Sequence, residues 1–256
     1  MIVLKLANAV FKNKQKKISA LLFFALIFLL PMAYSSEKPA VYKVRKFNGT
    51  LKVDANWDKV QWKKVKEIPI VNFMGKMPAF QPIVSAKMMY DKENLYLIYK
   101  VEDRYVRIQN TRFNSSVSTD ACVEFFFSPD EDWPLRYFNV EINAGGTGLM
   151  AYHTDGKRNN VKEEDFNVVE LAHTLPKKLD QEISGPVTWF LEFKMPLSLL
   201  GKYGNFTQPQ RGVKWKANFY KTSSRSTNPH YITWSFVQNP IPQFHLPQYF
   251  GTLIFK

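Results

Sequence analysis

The sequence predicts an all-β fold, an antiparallel β-sandwich of jelly-roll or immunoglobulin-like kind with short helical turns. Three observations predict it. About ten short runs have the composition or the period-2 alternation of strands. Turn signals separate them every ~8–15 residues, and no long segment repeats its apolar residues at helical spacing. With 256 residues, 45% of them hydrophobic, the chain has the length and composition for one large core.

The N-terminus has the three parts of a secretory signal: a basic region (KNKQKK), an apolar run from Ile18 to Leu30, and Pro31 with small residues ending in Ala33-Tyr34-Ser35. Residues 1–35 are read as a signal peptide and 36–256 as the mature domain, secreted or periplasmic. An uncleaved anchor is the alternative. An apolar core of about 13 residues falls short of the ~20 that span a bilayer, so no stable membrane insertion is expected after cleavage. No cysteine follows the apolar run, and Cys122 is the single cysteine, so an exported domain without disulfides must be held by its core.

The formal charge is +13, but Lys5, Lys12, Lys14, Lys16 and Lys17 all belong to the signal. The remaining excess would attract polyanions or acidic glycans, yet it is scattered along the chain and no nucleic-acid-binding motif accompanies it. Nucleic acid is therefore not an expected partner.

Along the chain, residues 48–65 begin strand-like and become a helical turn for which Asp54 is the expected cap, bringing Trp57 and Trp62 together as core residues. Pro69, Gly75, Pro78 and Pro82 make 67–82 an irregular crossing. Ile83 to Tyr90 and Leu95 to Val101 read as a hairpin around Asp91–Asn94, and 103–119 as a polar loop. A second, longer hairpin spans Val117 to Gly148. Its second run alternates Phe138, Val140 and Ile142 with Asn139, Glu141 and Asn143, and its first sets Cys122, Glu124 and Phe126 on one parity. One face of this hairpin is thus polar: it is either a face that binds something polar or an ordinary solvated surface.

Gly145-Gly146 permits a tight turn into a strand at 149–153, and 157–165 reads as a charged loop. Strands follow at 168–174 and 187–193, where Val187, Trp189, Leu191 and Phe193 share the inward parity. Pro196 opens a helical turn that Gly201 stops. Val213, Trp215, Ala217 and Phe219 form another inward set, leaving Asn218 and Tyr220 on a polar face. The chain closes with a strand at 231–236, a loop at 238–249 stiffened by three prolines and carrying Phe244 and His245, and a strand at 252–255.

Five segments in this order, VDANWDKVQW, NLYLIYKVED, DACVEFFFSPD with YFNVEINAGG, WFLEFKMPLSLL, and ITWSF with HLPQYFGTLIF, resemble the family 9 carbohydrate-binding modules and their DOMON-like β-sandwich relatives. The resemblance runs from Asp54 to the C-terminus. It implies a non-catalytic sandwich that holds cellulose or xylan chain ends between two tryptophans, with polar side chains on the hydroxyls and, as a possible partner, a glycosidase. Carried over by position, Glu124 falls at a ligand-binding Glu, Asn139 where family members have an Arg, and Tyr220 near a Gln. Phe244 stands at one clamp tryptophan and Val117 at the other, so the cello-oligosaccharide specificity does not transfer. Trp133, in the hairpin loop, is a further candidate for the aromatic contact.

Three rival readings stand beside this one. Glycoside hydrolysis needs two carboxyl groups across the scissile bond, which Glu124 with Glu141 or Asp120 could provide. Some DOMON-like domains hold haem, for which Met150 with His153, or Met88 and Met89, are the candidates, although strand methionines usually fill cores. No cofactor is expected, but a structural calcium ion is an open alternative at Ser128–Asp132, Asp103 or Asp120.

Overall fold

The computed structural model describes residues 38–130 and 136–256; the segment 1–35 read as a signal peptide and Trp133 lie outside the described residues. Among the described residues fourteen strands are arranged in two layers, eleven of them along one path of hydrogen bonding with β2, β3 and β13 off it. The first layer holds β2 (Ile68–Ile70), β4 (Ile83–Tyr90), β5 (Asn94–Val106), β10 (Glu170–His173) and β11 (Ile183–Pro196), in the order β10-β11-β5-β4 with β2 also on β4. The second runs β14-β12-β6-β7-β8-β9, from β14 (Gly251–Phe255), β12 (Lys214–Thr222), β6 (Cys122–Ser128), β7 (Tyr137–Asn143), β8 (Gly148–Thr154) and β9 (Lys157–Asn160). β13 (Tyr231–Thr233) pairs with the end of β12 beyond β14, and with the short β3 (Asn72–Phe73).

The two layers are joined by β1 (Val41–Lys46), a strand the sequence reading did not identify. Its residues 41–44 pair with β14 and its residues 45–46 with β4, in parallel on both sides. The sandwich is therefore antiparallel except where this strand passes between sheets. Its short VYKVRK run buries only Tyr42 and Val44, too few positions to declare itself by alternation.

Between the layers sits an aromatic core, placed by the alternation of β6, β11 and β12. Phe125 stacks on Phe219 at 4.9 Å and Phe127 on Trp215 at 5.7 Å, while Trp189 and Phe193 face them from the first layer, all essentially solvent-free. Burying each such ring contributes about 1.5–3 kcal/mol. Gly146 makes the turn from β7 to β8 possible: its φ is +80°, and a Cβ there would lie 2.4 Å from the His173 ring.

Trp57 and Trp62 do pack into a smaller core with Met89 and Ile98. Asp54, however, does not cap the following helix α1 (Val60–Lys63), whose N-cap is Lys59. It accepts the Asn56 N–H and pairs with the Lys59 ammonium instead, so its bonds close a turn ahead of the helix. The charged stretch at 157–165 contains β9 and the single-turn helix α2 (Glu163–Phe166), because Val161 and Phe166 supply just enough buried surface to anchor it. The helical turn expected over 196–200 is α3 (Leu197–Gly201), with Pro196 as its N-cap and Gly201 inside it rather than ending it. No helix among the described residues is long and apolar enough to cross a membrane.

Candidate functional site

The polar face of the second hairpin is the largest departure from expectation. Every residue of β6 and β7 is buried on both parities, including Glu124 (3% exposed), Asn139 (0%) and Glu141 (6%). The face is polar but roofed. Its cover comes from the segment after β13, where Val237, Phe244 and Phe250 pack with Phe126, Tyr137, Tyr220 and Met74 into a separate aromatic cluster. The three prolines stiffen that cover, and Gly75 lets it close: at φ +70°, a Cβ there would stand 2.7 Å from the Pro242 ring.

Under this cover lies a pocket of about 200 Å³. Glu124, Glu141 and Phe126 project into it from the sheet. Tyr231 faces them from β13 and Gln243, Phe244 and His245 from the cover, and Ser118, Thr222 and Ser224 contribute further lining residues. Cross-strand register sets the two carboxyl groups side by side, since Glu124 pairs directly with Glu141. Directly opposed Cβ atoms stand ~4.5–5.5 Å apart.

The two acids have different surroundings. Asn139 Nδ2 donates to Glu141 Oε1 at 2.8 Å, and the Asn139 Oδ1 is in turn hydrogen-bonded at 2.9 Å to His153 Nε2. Glu124 Oε1 is buried without any hydrogen-bond partner. Burial raises the pKa of both, well above the carboxylate range for Glu124, where the neighbouring Glu141 adds to the rise and Lys221 opposes it. A buried, unpaired carboxyl oxygen costs about 1–3 kcal/mol or more unless something bonds to it.

The aromatic part of the site is held from behind. Phe244 stacks on Tyr220 with ring centroids 4.1 Å apart, and the Tyr220 hydroxyl donates to the Phe244 carbonyl at 3.1 Å. Tyr231 meets Phe244 edge-on at 6.1 Å. Beside them Tyr137 stacks on His153 at 4.5 Å and shares a 2.9 Å hydrogen bond with His245 Nδ1. Burial lowers the pKa of both histidines to about 4, so they are neutral at pH 7.

Of the residues singled out from the sequence, Glu124 and Phe244 line this pocket. Asn139 and Tyr220 are wholly buried behind it and orient Glu141 and Phe244, respectively. Val117 is also fully buried, in a single 3-10 turn (Val117–Thr119) packed on Cys122 and Leu149, while its neighbour Ser118 reaches the pocket. Tyr231, a second aromatic in the lining, opens the strand read at 231–236, of which only Tyr231–Thr233 is extended in the sheet, and nothing in its spacing marked it as a lining residue.

Beyond Glu124 and Glu141, the described residues of the rival readings have other occupations, and Glu131 and Asp132 of the calcium candidate lie outside the described residues. Asp120 binds the Arg107 guanidinium and accepts from Asn110 and Asn143. Asp103 Oδ1 accepts the Arg104 N–H, and its Oδ2 stands 3.4 Å from Lys221 Nζ. Met88 and Met150 are in the main core and Met89 in the smaller one. Among the described residues no three His, Cys, Asp or Glu side chains converge as a metal site.

The family model for carbohydrate-binding family 9 matches residues 51–255. No curated protein matches the sequence. Among solved structures, a candidate carbohydrate-binding protein from Bacteroides uniformis superposes with a TM-score of 0.77 at 28% identity, over 86% of this chain and 100% of that one. A family 9 carbohydrate-binding module from Caldicellulosiruptor kristjanssonii in complex with cellotriose gives 0.59 at 16% identity, over 85% and 94% of the two chains. The same organism's module in complex with glucose gives 0.58 at 16% identity, over 84% and 96%. At that identity the last two show a shared fold.

Proposed function

The chain belongs to carbohydrate-binding family 9, and from that premise we propose that it is an exported, non-catalytic protein that holds one end of a glycan in the pocket between the β6–β7 hairpin and the 238–249 cover. The observation that carries this reading is the Glu124 carboxyl. It is buried, lines the pocket and has an oxygen without a partner. A sugar hydroxyl is the kind of group that would complete it.

Phe244 and Tyr231 supply the apolar surface that sugar C–H groups pack against, in a lining where aromatic and polar groups alternate. A volume of about 200 Å³ is below the ~300–1,000 Å³ of sites for larger ligands, which favours a terminal sugar over a long internal stretch of chain. The side-by-side placement of Glu124 and Glu141 on one sheet face supports a binding role over hydrolysis. An acid and its partner carboxylate must flank the scissile bond, whereas these two project from the same wall.

A glycan screen followed by calorimetry tests the proposal. Glu124→Ala is expected to weaken binding by about 1–3 kcal/mol through lost hydrogen bonds; a folded variant with unchanged affinity would remove Glu124 from the site. Incubation with a polysaccharide panel is expected to release no reducing ends. Mass spectrometry of the exported protein is expected to find Ser36 at its N-terminus, and an intact Met1 would contradict cleavage. If the protein serves a glycosidase, the two should co-purify from cells grown on the bound glycan.

A further inference from the structure

The pocket is acidic in a chain that is basic overall. Its two ionisable acids are directly opposed on neighbouring strands, and among the described residues no lysine or arginine lines it. The cations nearest in the fold are engaged elsewhere. Lys221 Nζ, on the other face of β12, is bonded to His230 Nε2 at 2.6 Å and to the Thr222 carbonyl at 3.0 Å, with Asp103 beyond. The Arg158 Nε donates to Asn160. The remaining polar groups in the lining, from Ser118, Thr222, Ser224 and Gln243, are neutral.

Two adjacent buried carboxyl groups cannot both ionise unless a positive charge joins them. Here one of the four oxygens is occupied by Asn139 and one is wholly without a partner. That arrangement has the geometry and charge of an ammonium acceptor, because a –NH3+ group carries three donors and can bridge both acids. Resting on the carbohydrate-binding reading of the same pocket, we propose that its preferred ligand is an amino sugar with a free ammonium group, bridged by Glu124 and Glu141, and that uronic acids are excluded. Phe244 and Tyr231 pack on the ring while the amine faces the sheet.

Other charged and titratable groups bear on this pair, and none replaces the ligand cation. His245 from the cover and His153 from β8 are neutral at pH 7, and Cys122 and Tyr220 are buried with raised pKa values. Arg158 and Lys221 act on the acids only at a distance, each lowering one of them. Burial and their mutual repulsion raise the pKa of the acids, so the pair resists double ionisation. Seating an ammonium, whose N–H groups donate to both carboxylates, favours the ionised pair.

Calorimetry of the full chain with glucosamine, galactosamine and mannosamine against their neutral parents, N-acetylglucosamine and glucuronic acid tests this. The best amine sugar is expected to bind about tenfold or more tighter at pH 7 than its neutral parent. N-acetylation is expected to abolish the advantage, and glucuronic acid to show no binding. Glu124→Gln and Glu141→Gln, which keep volume, are expected to lose the preference, lowering the affinity for the amine sugar by a larger factor than that for its neutral parent, with thermal unfolding confirming that they fold. Equal affinity for an amine sugar and its parent, or a preference that survives both substitutions, overturns the inference while leaving the carbohydrate reading intact. If no sugar binds, both fall together.

Discussion

Two buried glutamates mark the difference between a carboxylate built into this fold and one reserved for a ligand. Glu192, on β11, is solvent-free and accepts from every side: the Asp54 and Ala55 N–H groups, the Trp62 indole at 2.8 Å and the Lys59 ammonium. Glu124, on β6, is 3% exposed, carries an oxygen with no partner and stands beside a second acid. The first ties residues 54–62 to the sheet, where Ala55 is held at a positive φ of 56°. The second lines a pocket. Full satisfaction signals structure, and a buried deficit at a cavity wall signals a missing partner.

Substitutions should separate these roles. The largest effect is expected from Glu192→Ala, which leaves the Trp62 N–H and the Ala55 N–H without their acceptor and takes one of two carboxylates from Lys59, and should destabilise by about 3–5 kcal/mol in denaturant unfolding. A loss below ~1 kcal/mol would show that residues 54–62 do not depend on it. Glu124→Gln should do the reverse, weakening sugar binding without destabilising the fold. Its stability effect has a definite pH sign. A carboxyl whose folded pKa lies above its unfolded value loses stability as pH rises through the window between the two, so the wild type should weaken from about pH 4.5 upward and Glu124→Gln should flatten that decline.

Phe244→Ala is expected to cost about 0.5–1.5 kcal/mol in binding through lost ring contact, and it frees the Tyr220 face as well. The smallest effect concerns His153 and His245. Their folded pKa values of about 4 lie below the unfolded 6.5, so their contribution to stability is complete above pH 6.5 and is lost as pH falls toward 4. His245→Gln should reduce the acid slope seen in thermal unfolding.

Much of the fold was legible because its signals are local. Parity in β6, β7 and β12 placed Glu124, Asn139, Glu141 and Tyr220 on one face before any coordinates, and register kept them there. Burial of that face was not legible. It depends on contacts such as Tyr137 with His245 and Asn72 with Trp234, over 100 residues apart, which no short-range period encodes. Glu192 was silent for the same reason, since an acid on the outer parity of a strand looks solvated until residues 54–62 are seen to cover it. Val117 shows the limit of transfer by position: the residue is inside the core, and the pocket is reached by Ser118 beside it.

The central claim, that the partnerless Glu124 beneath the 238–249 cover holds a sugar, is tested most directly by a crystal structure of the protein with the tightest-binding sugar from the screen. The account predicts a sugar in this pocket with a hydroxyl or amine within hydrogen-bond distance of Glu124 and its ring against Phe244. A well-ordered sugar elsewhere on the sandwich, with the pocket unchanged and Glu124 still unpaired, would contradict it.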